Sequence, residues 1–234
     1  MFTQMQKKYK LIILIGIFLI FFSCTVRNVI CNFNYDFNFL KVERPSDAKK
    51  RYGESKIESI EEEGEKKYIF EDEMIRIKWF PTASVIFFSL TNKTEHSIKI
   101  IWDEAAYVNI DGLSEKIAHS GMKCSDTSKS LPPSIIIRGS TLNEIIVPSE
   151  HLYYSSVEHK CKNIPLLPDK MSLDVVDKKI LNDQIKKYKE FFLNKQIHIL
   201  LPLNIEGITN EYIFTFEITN CEIVPPPFLQ QQKN

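Results

Sequence analysis

The stretch QIHILLPLNI, residues 196–205, followed by EGITN and then by EYIFTFEIT, residues 211–219, decides the fold class of this chain. In the second run, large apolar side chains occupy every second position from Tyr212 to Ile218. Successive side chains of a strand point to opposite faces, so this alternation is typical of a strand with one buried face. Two such runs joined by a short segment containing glycine predict an antiparallel hairpin.

The same alternation recurs near the other end of the chain, in FNYDFNF, residues 33–39. Its four aromatic side chains share one face of the predicted strand. Because aromatic side chains are mostly buried, we expect this strand to lie over a core. An exposed aromatic platform for a ligand is the alternative.

Several shorter runs predict further strands. SVIFFSL, residues 84–90, is apolar on both faces, which is typical of a central strand covered on both sides. SIKIIW, residues 97–102, follows after the turn-like TNKTEH, and we expect the two runs to pair as a hairpin. The remaining predicted strands cover residues 75–79, 106–110, 134–137 and 143–147.

One helix interrupts the strands, near residues 178–194. Its apolar residues recur with a period near 3.6, with lysine and glutamate between them, and Asp177 stands where it would cap the first turn. We expect this helix to cover one edge or open end of a sheet. Short strands with a single helix predict a mostly β protein, a two-sheet antiparallel immunoglobulin-like β-sandwich with one covering helix. "Immunoglobulin-like" describes the architecture alone, because the cysteines and Trp102 lack the spacing of antibody domains.

The body predicted in this way spans residues 67–221. Residues 24–66 are expected to form an N-terminal strand and an exposed, partly helical loop, because more than half of residues 41–66 are charged and few are large and apolar. A docking arm is the alternative for this charged segment. Residues 222–234, which contain PPP and QQQ, are expected to form a disordered tail.

Residues 1–23 have the composition of a signal segment. Three lysines precede the apolar run Leu11–Phe22, which as a helix would reach about 18 Å of a hydrocarbon core about 30 Å thick. Cys24 follows directly after the small residue Ser23, an arrangement that resembles a bacterial lipobox, although Phe21 and Phe22 depart from its usual pattern. We therefore expect cleavage before Cys24 and its attachment to fatty acyl chains such as palmitate. An uncleaved inner-membrane anchor and ordinary secretion remain open.

Charge and glycine content exclude two classes of function. Without residues 1–23 the chain carries 27 basic and 30 acidic residues, and this small negative net charge argues against a nucleic-acid partner. Closely spaced glycines, which phosphate-binding loops need, are absent from the sequence after Ser23.

Four cysteines remain beside Cys24. They are Cys31, Cys124, Cys161 and Cys221. An even number in an exported protein allows two disulfides in three connectivities, for example Cys31 with Cys221 and Cys124 with Cys161. Free buried thiols are the alternative.

No motif for catalysis or metal binding stands out. His159 and Cys161, with His151 upstream, form too sparse a set for a zinc site. The sequence His119-Ser120-Gly121 lacks the surroundings of a nucleophile elbow. We therefore predict no catalytic residue, no metal and no cofactor.

The segment PSEHLYY, residues 148–154, is the best candidate for a binding surface. Loops on a rigid scaffold are where binding residues concentrate, and Tyr153 and Tyr154 are large aromatic groups in such a segment. Since neighbouring residues of a strand face opposite ways, we expect one of the two tyrosines to pack in the core.

Five stretches carry a resemblance to a known group. They are TNKTEHSIKIIWDEAAYV (91–108), HSGMKC (119–124), LPPSIIIRGST (131–141), IVPSEHLYY (146–154) and ILLPLNIEGITNEYIFTFEI (199–218). In this order they look like a family of uncharacterised bacterial lipoproteins with an immunoglobulin-like β-sandwich body. The resemblance implies lipid anchoring and a sandwich fold, and it implies no activity.

Together these observations predict an envelope lipoprotein, either periplasmic or exposed on the cell surface, that binds or helps to assemble an envelope protein partner. An envelope hydrolase or a metal-dependent enzyme is the alternative.

Overall fold

The computed structural model describes residues 27–126, 129–175 and 178–227. The chain is mostly β, with 55% of the described residues in strands and 15% in helices. The strands are β1 Arg27–Glu43, β2 Lys56–Glu62, β3 Glu65–Glu71, β4 Ile75–Pro81, β5 Ile86–Asn92, β6 Ile98–Ile100, β7 Ala106–Val108, β8 Ser114–His119, β9 Ser134–Ile136, β10 Thr141–Pro148, β11 Leu152–Ser155, β12 Lys160–Asn163, β13 Lys170–Val175, β14 Gln196–Ile205 and β15 Ile208–Val224. The α-helices are α1 Ala48–Tyr52 and α2 Lys178–Phe192, and single 3₁₀ turns cover Trp102–Glu104, Cys124–Asp126 and Ser149–His151.

Within the described residues, thirteen strands form one large antiparallel sheet, and β11 with β12 forms a smaller one. The strand order of the large sheet is β13-β1-β15-β14-β7-β8-β10-β5-β4-β3-β2, with β6 paired to β14 and β9 to β6.

The predicted hairpin of β14 and β15 is confirmed. Its register runs from Gln196 opposite Glu217 to Ile205 opposite Ile208. The two residues of the turn, Glu206 and Gly207, both have positive φ, at 53° and 83°. Two-residue turns of this kind match the twist of the strands that they join.

β8 joins two halves of the large sheet, because its residues 114–116 pair with β7 and its residues 117–119 pair with β10. The first half contains β13, β1, β15, β14 and β7, together with β6 and β9, and the second half contains β10, β5, β4, β3 and β2. Side chains of the two halves contact each other. The Trp79 ring of β4 lies 4.8 Å from the Phe214 ring of β15, and the Phe39 ring of β1 lies 6.3 Å from the Tyr68 ring of β3. Buried side chains from both halves form one hydrophobic cluster.

The expected pairing of residues 84–90 with 97–102 is wrong. β5 lies between β4 and β10, whereas β6 pairs with β14 and β9. The segment between them carries the chain from one half of the sheet to the other, and Asn92 holds it by donating to the carbonyls of His96 (2.7 Å) and Ile136 (2.9 Å). The outer face of β5 is also not covered, since Phe87 is 38% exposed.

Most of the charged segment 41–66 is exposed, as expected, but the segment is not a loop. It contains the end of β1, the short helix α1 and the edge strand β2. Ala48 and Tyr52 of α1 are buried, and Lys67 of β3 pairs with Glu62 of β2 at 2.7 Å. An edge strand whose charges pair with its neighbour needs little apolar surface, and for this reason its composition resembles that of a loop.

The predicted helix is confirmed as α2, which lies over β13 and β15. Leu181 and Phe192 are buried, and the Phe192 ring packs edge-on against Tyr35 of β1 at 5.3 Å. At the C-terminal end, β15 continues to Val224, so the first residues of the expected tail belong to the sheet.

Four predicted features lie outside the described residues: the signal segment 1–23, Cys24, the cap residue Asp177 and the last seven residues of the tail. In the ranges that the structure does describe, no helix has the length and apolar character needed to cross a membrane.

Candidate binding surface

Tyr153 and Tyr154, the residues predicted to form a binding surface, lie on the small hairpin of β11 and β12. In its register Tyr153 is opposite Lys162 and Tyr154 is opposite Cys161. Tyr153 is 45% exposed, Tyr154 is 61% exposed, and Val157 in the turn is 87% exposed. The expectation that one tyrosine packs in the core is therefore wrong. β11 and β12 form a sheet of their own beside the large sheet, and both tyrosine side chains are exposed to solvent.

A disulfide fastens this hairpin to the body. Cys161 of β12 is bonded to Cys124, in the turn that follows β8, and their Cα atoms are 5.9 Å apart. This bond joins the pair Cys124–Cys161 that the sequence offered as one possible connectivity. It links the β12 strand of the hairpin to a cysteine 37 residues earlier in the chain.

Hydrogen bonds hold the base of the hairpin as well. The backbone N–H of Ile164 donates to the carbonyl of His151 at 2.8 Å, and the Asn163 side chain donates to the carbonyl of Ser84 at 2.9 Å. The hairpin thus presents its aromatic groups from a constrained backbone, which lowers the entropy that a partner must remove on binding.

Charged side chains surround the tyrosines. Lys160 and Lys162 both pair with Glu158 in the turn, and these hydrogen bonds hold the pKa of Glu158 below its usual range. The hairpin therefore offers a partner aromatic surface together with cationic groups already ordered by their own ion pairs.

Cys31 and Cys221 form no disulfide with each other. Both are buried free thiols. Across β1 and β15, Cys221 is opposite Tyr35, four residues from Cys31, which corresponds to about 13 Å along the strand. That separation is too large for a disulfide. Burial raises the pKa of the Cys31 thiol and raises that of Cys221 to about 11, so both thiols are poor nucleophiles.

The residues considered for zinc do not converge. Cys161 is in the disulfide, and the Nδ1 atom of His151 lies 3.1 Å from the carbonyl oxygen of Ile164. Across residues 27–126, 129–175 and 178–227, no group of three or more His, Cys, Asp or Glu side chains is placed to hold a metal ion.

The His119-Ser120-Gly121 turn has structural contacts that sequence reasoning missed. The His119 ring stacks on Trp102 at 4.2 Å, with its Nδ1 atom 3.5 Å from the buried carboxylate of Glu144. The backbone N–H of Ser120 donates to the same carboxylate, and the Ser120 hydroxyl accepts from the N–H of Ile145. These contacts join β8 to β10, beside the residues through which the two strands pair.

Sequence reasoning also missed a cavity of about 460 Å³ on the outer face of β3, β4, β5 and β10. Phe80, Phe87 and Ile145 form its apolar part. Beside them Lys67 and Lys78 both pair with Glu62, at 2.7 and 2.8 Å, which lowers the pKa of Glu62 to about 2. The sequence indicated this cavity only through Phe87, an aromatic residue on the outward face of β5.

A second cavity, of about 640 Å³, lies between β1 and the β2–β3 hairpin. Residues 33–37 of β1 form one wall, and Glu61, Glu65 and Lys66 lie on the other. The aromatic alternation of residues 33–39 predicted the buried face of β1 but not the open side of the strand.

Comparison of the sequence with family models and with curated proteins, and of the fold with solved structures, finds no match. The resemblance to bacterial lipoproteins thus remains an expectation.

Proposed function

We propose that this protein is a bacterial envelope lipoprotein, anchored through acylated Cys24, that acts by binding a protein partner through the β11–β12 hairpin. The observation that carries the proposal is a pair of exposed tyrosines on a hairpin that a disulfide fastens to the body. We further propose that the two facing halves of the large sheet form a β-sandwich of immunoglobulin-like architecture.

The Cys124–Cys161 disulfide supports a location outside the cytoplasm. Disulfides persist in oxidising compartments and are rare where thiols are kept reduced. Export is also what the signal-like residues 1–23 predict.

The position of β1 supports a body held close to the membrane surface. β1 begins at Arg27, three residues after Cys24, and three extended residues span about 10 Å. Two or three acyl chains on Cys24 would anchor the protein stably, because each buried methylene contributes about 0.8 kcal/mol.

The packing of the sheet supports the sandwich. Trp79 and Phe70 of one half contact Phe214 of the other, with ring centroids 4.8 and 5.7 Å apart. Interleaved side chains from two inner faces are how sandwiches build their core.

The chemistry of tyrosine supports binding. Tyrosine is enriched among the residues that contribute most to protein interfaces, because its ring buries apolar area and its hydroxyl makes a hydrogen bond. Tyr153 is 45% exposed and Tyr154 is 61% exposed, so a partner can reach both side chains.

Crosslinking in cells tests this proposal. A photo-crosslinking phenylalanine analogue is placed at position 153 or 154 of the full chain, and the matched control carries it at Phe191 of α2, which is similarly exposed at 48%. We expect one discrete adduct from positions 153 and 154 and none from 191. Equal adducts from all three positions, or none from the hairpin, would contradict a binding role for it.

The anchor is tested separately by the intact mass of protein extracted from membranes. We expect a chain that begins at Cys24 with the added mass of acyl chains, and a Cys24→Ser variant that leaves the membrane fraction. A chain that begins at Met1 with an unmodified Cys24 would contradict the proposed anchor.

A further inference from the structure

β1 has one side that its neighbours leave open. Residues 27–32 pair with β13 on one side, and residues 32–43 pair with β15 on the other. After residue 33, the side of β1 on which β13 lies is unpaired, because no other strand in the described part of the chain pairs with it. An unpaired strand edge presents free backbone donors and acceptors.

Hydrogen bonds of β1 show which of its backbone groups point to this open side. The N–H of Phe33 donates to the carbonyl of Asp169, the residue before β13, and so points to the side on which β13 lies. The carbonyl of Phe37 accepts from the Tyr68 hydroxyl of β3 on the same side. The carbonyl of Asp36 accepts from Thr219 on the opposite, β15 side. Because backbone groups alternate in direction along a strand, the N–H and C=O of Tyr35 point to the open side.

The open side faces the cavity of about 640 Å³, which we call the β1 groove. Its other wall is the β2–β3 hairpin, which approaches β1 through the Tyr68 hydroxyl without pairing with it. Its volume is within the roughly 300–1,000 Å³ of pockets that bind ligands. The β1 groove thus combines free backbone groups with space beside them.

The β1 groove is acidic. Asp36, Glu61 and Glu65 line it, and Lys66 is the basic residue among the lining side chains. Its apolar surface comes from the side chains of residues such as Phe33 and Ala83. An extended segment lying along β1 would alternate between these apolar groups and the carboxylates, since its side chains point to opposite faces.

We propose that the β1 groove binds an extended peptide segment of a partner protein, in which basic side chains alternate with small apolar ones, by adding it as a strand to the open edge of β1. In this mode the backbone hydrogen bonds provide affinity and the alternating side chains provide specificity. The proposal goes beyond the binding role of the tyrosine hairpin and depends neither on that role nor on the anchor.

Fluorescence anisotropy tests the charge part of the proposal. The probe is a labelled seven-residue peptide that alternates lysine and valine, and its control replaces every lysine with glutamate. We expect the lysine peptide to bind the full-length protein, and the double variant Glu61→Lys/Glu65→Lys to bind it at least tenfold more weakly. Glu104→Lys, at an exposed glutamate outside the β1 groove, should bind as the unchanged protein does. Absence of binding, or equal affinity in the double variant, would overturn the proposal.

Hydrogen exchange tests the strand-addition part. We expect the amide of Tyr35 to exchange rapidly in the free protein and at least tenfold more slowly with the lysine peptide bound, while the amide of Phe216 is slow in both states. If the peptide binds but the exchange rate of the Tyr35 amide does not change, the peptide is held by charge attraction alone, and strand addition is overturned. Slow exchange at Tyr35 before any peptide is added would show that another segment of this chain already fills the β1 groove, and would also overturn it.

Discussion

Two hairpins of this protein are held in place by different forces. β14–β15 lies inside the large sheet, where its side chains meet the opposite half and Ile199, Leu201, Phe214 and Phe216 are fully buried. β11–β12 is a sheet of two strands, with both tyrosines exposed and a disulfide at its side. Burial of side chains therefore stabilises the first hairpin, whereas a covalent bond stabilises the second. The second can therefore keep its aromatic groups free for a partner.

The largest effect should come from removing a ring of the buried hairpin. Phe214→Ala deletes a fully buried side chain that packs against Trp79 and Phe70, and we expect a loss of about 3–5 kcal/mol in the free energy of unfolding. Urea denaturation followed by tryptophan fluorescence measures it. The matched control on the exposed hairpin, Tyr154→Ala, should change the stability by less than about 0.5 kcal/mol. Similar losses from both variants would erase the difference between the hairpins.

Removing the disulfide should have the next largest effect. The double variant Cys124→Ser/Cys161→Ser opens a loop of sequence separation 37, and we expect a loss of about 2–4 kcal/mol in the free energy of unfolding. Proteolysis should then cut first in the turn 156–159. Reductant should destabilise the unchanged protein but not the double variant. If reductant affects both equally, the hairpin is not held by this bond.

The β2–β3 hairpin is a third case, because ion pairs stabilise it in addition to its backbone hydrogen bonds. Lys67 and Lys78 lower the pKa of Glu62 from 4.5 to about 2. Their stabilising effect is therefore complete above pH 4.5 and is lost as the pH falls toward 2. An NMR titration of the Glu62 carboxyl should give a midpoint near 2, and Lys67→Met should move it upward. A midpoint near 4.5 in the unchanged protein would contradict the ion pairs.

The smallest effect is expected at the free thiols. Burial raises the pKa of Cys221 to about 11 and also raises that of Cys31, so neither should react with iodoacetamide at pH 8 in the folded protein. Both should react after unfolding in urea. Rapid labelling of either thiol in the native state would show that the strands around β1 and β15 separate readily.

Local patterns in the sequence predicted local structure well. The alternation in residues 33–39 and 211–219 and the helical period before residue 192 each belong to one segment, and each corresponds to a strand or helix of the structure. These patterns depend on the faces of single elements, which side-chain order reveals.

Features that depend on distant partners could not be predicted in this way. The register that separates Cys31 from Cys221 is set by pairing between opposite ends of the chain. The charged strand β2 is held by its backbone pairing with β3, to which the ion pairs of Glu62 with Lys67 and Lys78 add. Tyr153 and Tyr154 are exposed because their hairpin lies outside the large sheet. The β1 groove also depends on distant strands, because it exists where the β2–β3 hairpin lies beside β1 without pairing with it.

The most direct test of the central claim is in-cell crosslinking from position 154 with and without the disulfide. We expect a discrete adduct from the protein that retains both cysteines, and the loss of most of that adduct in the Cys124→Ser/Cys161→Ser variant at equal protein level. An adduct of equal yield in both proteins would contradict the claim that the fastened hairpin is what the partner recognises.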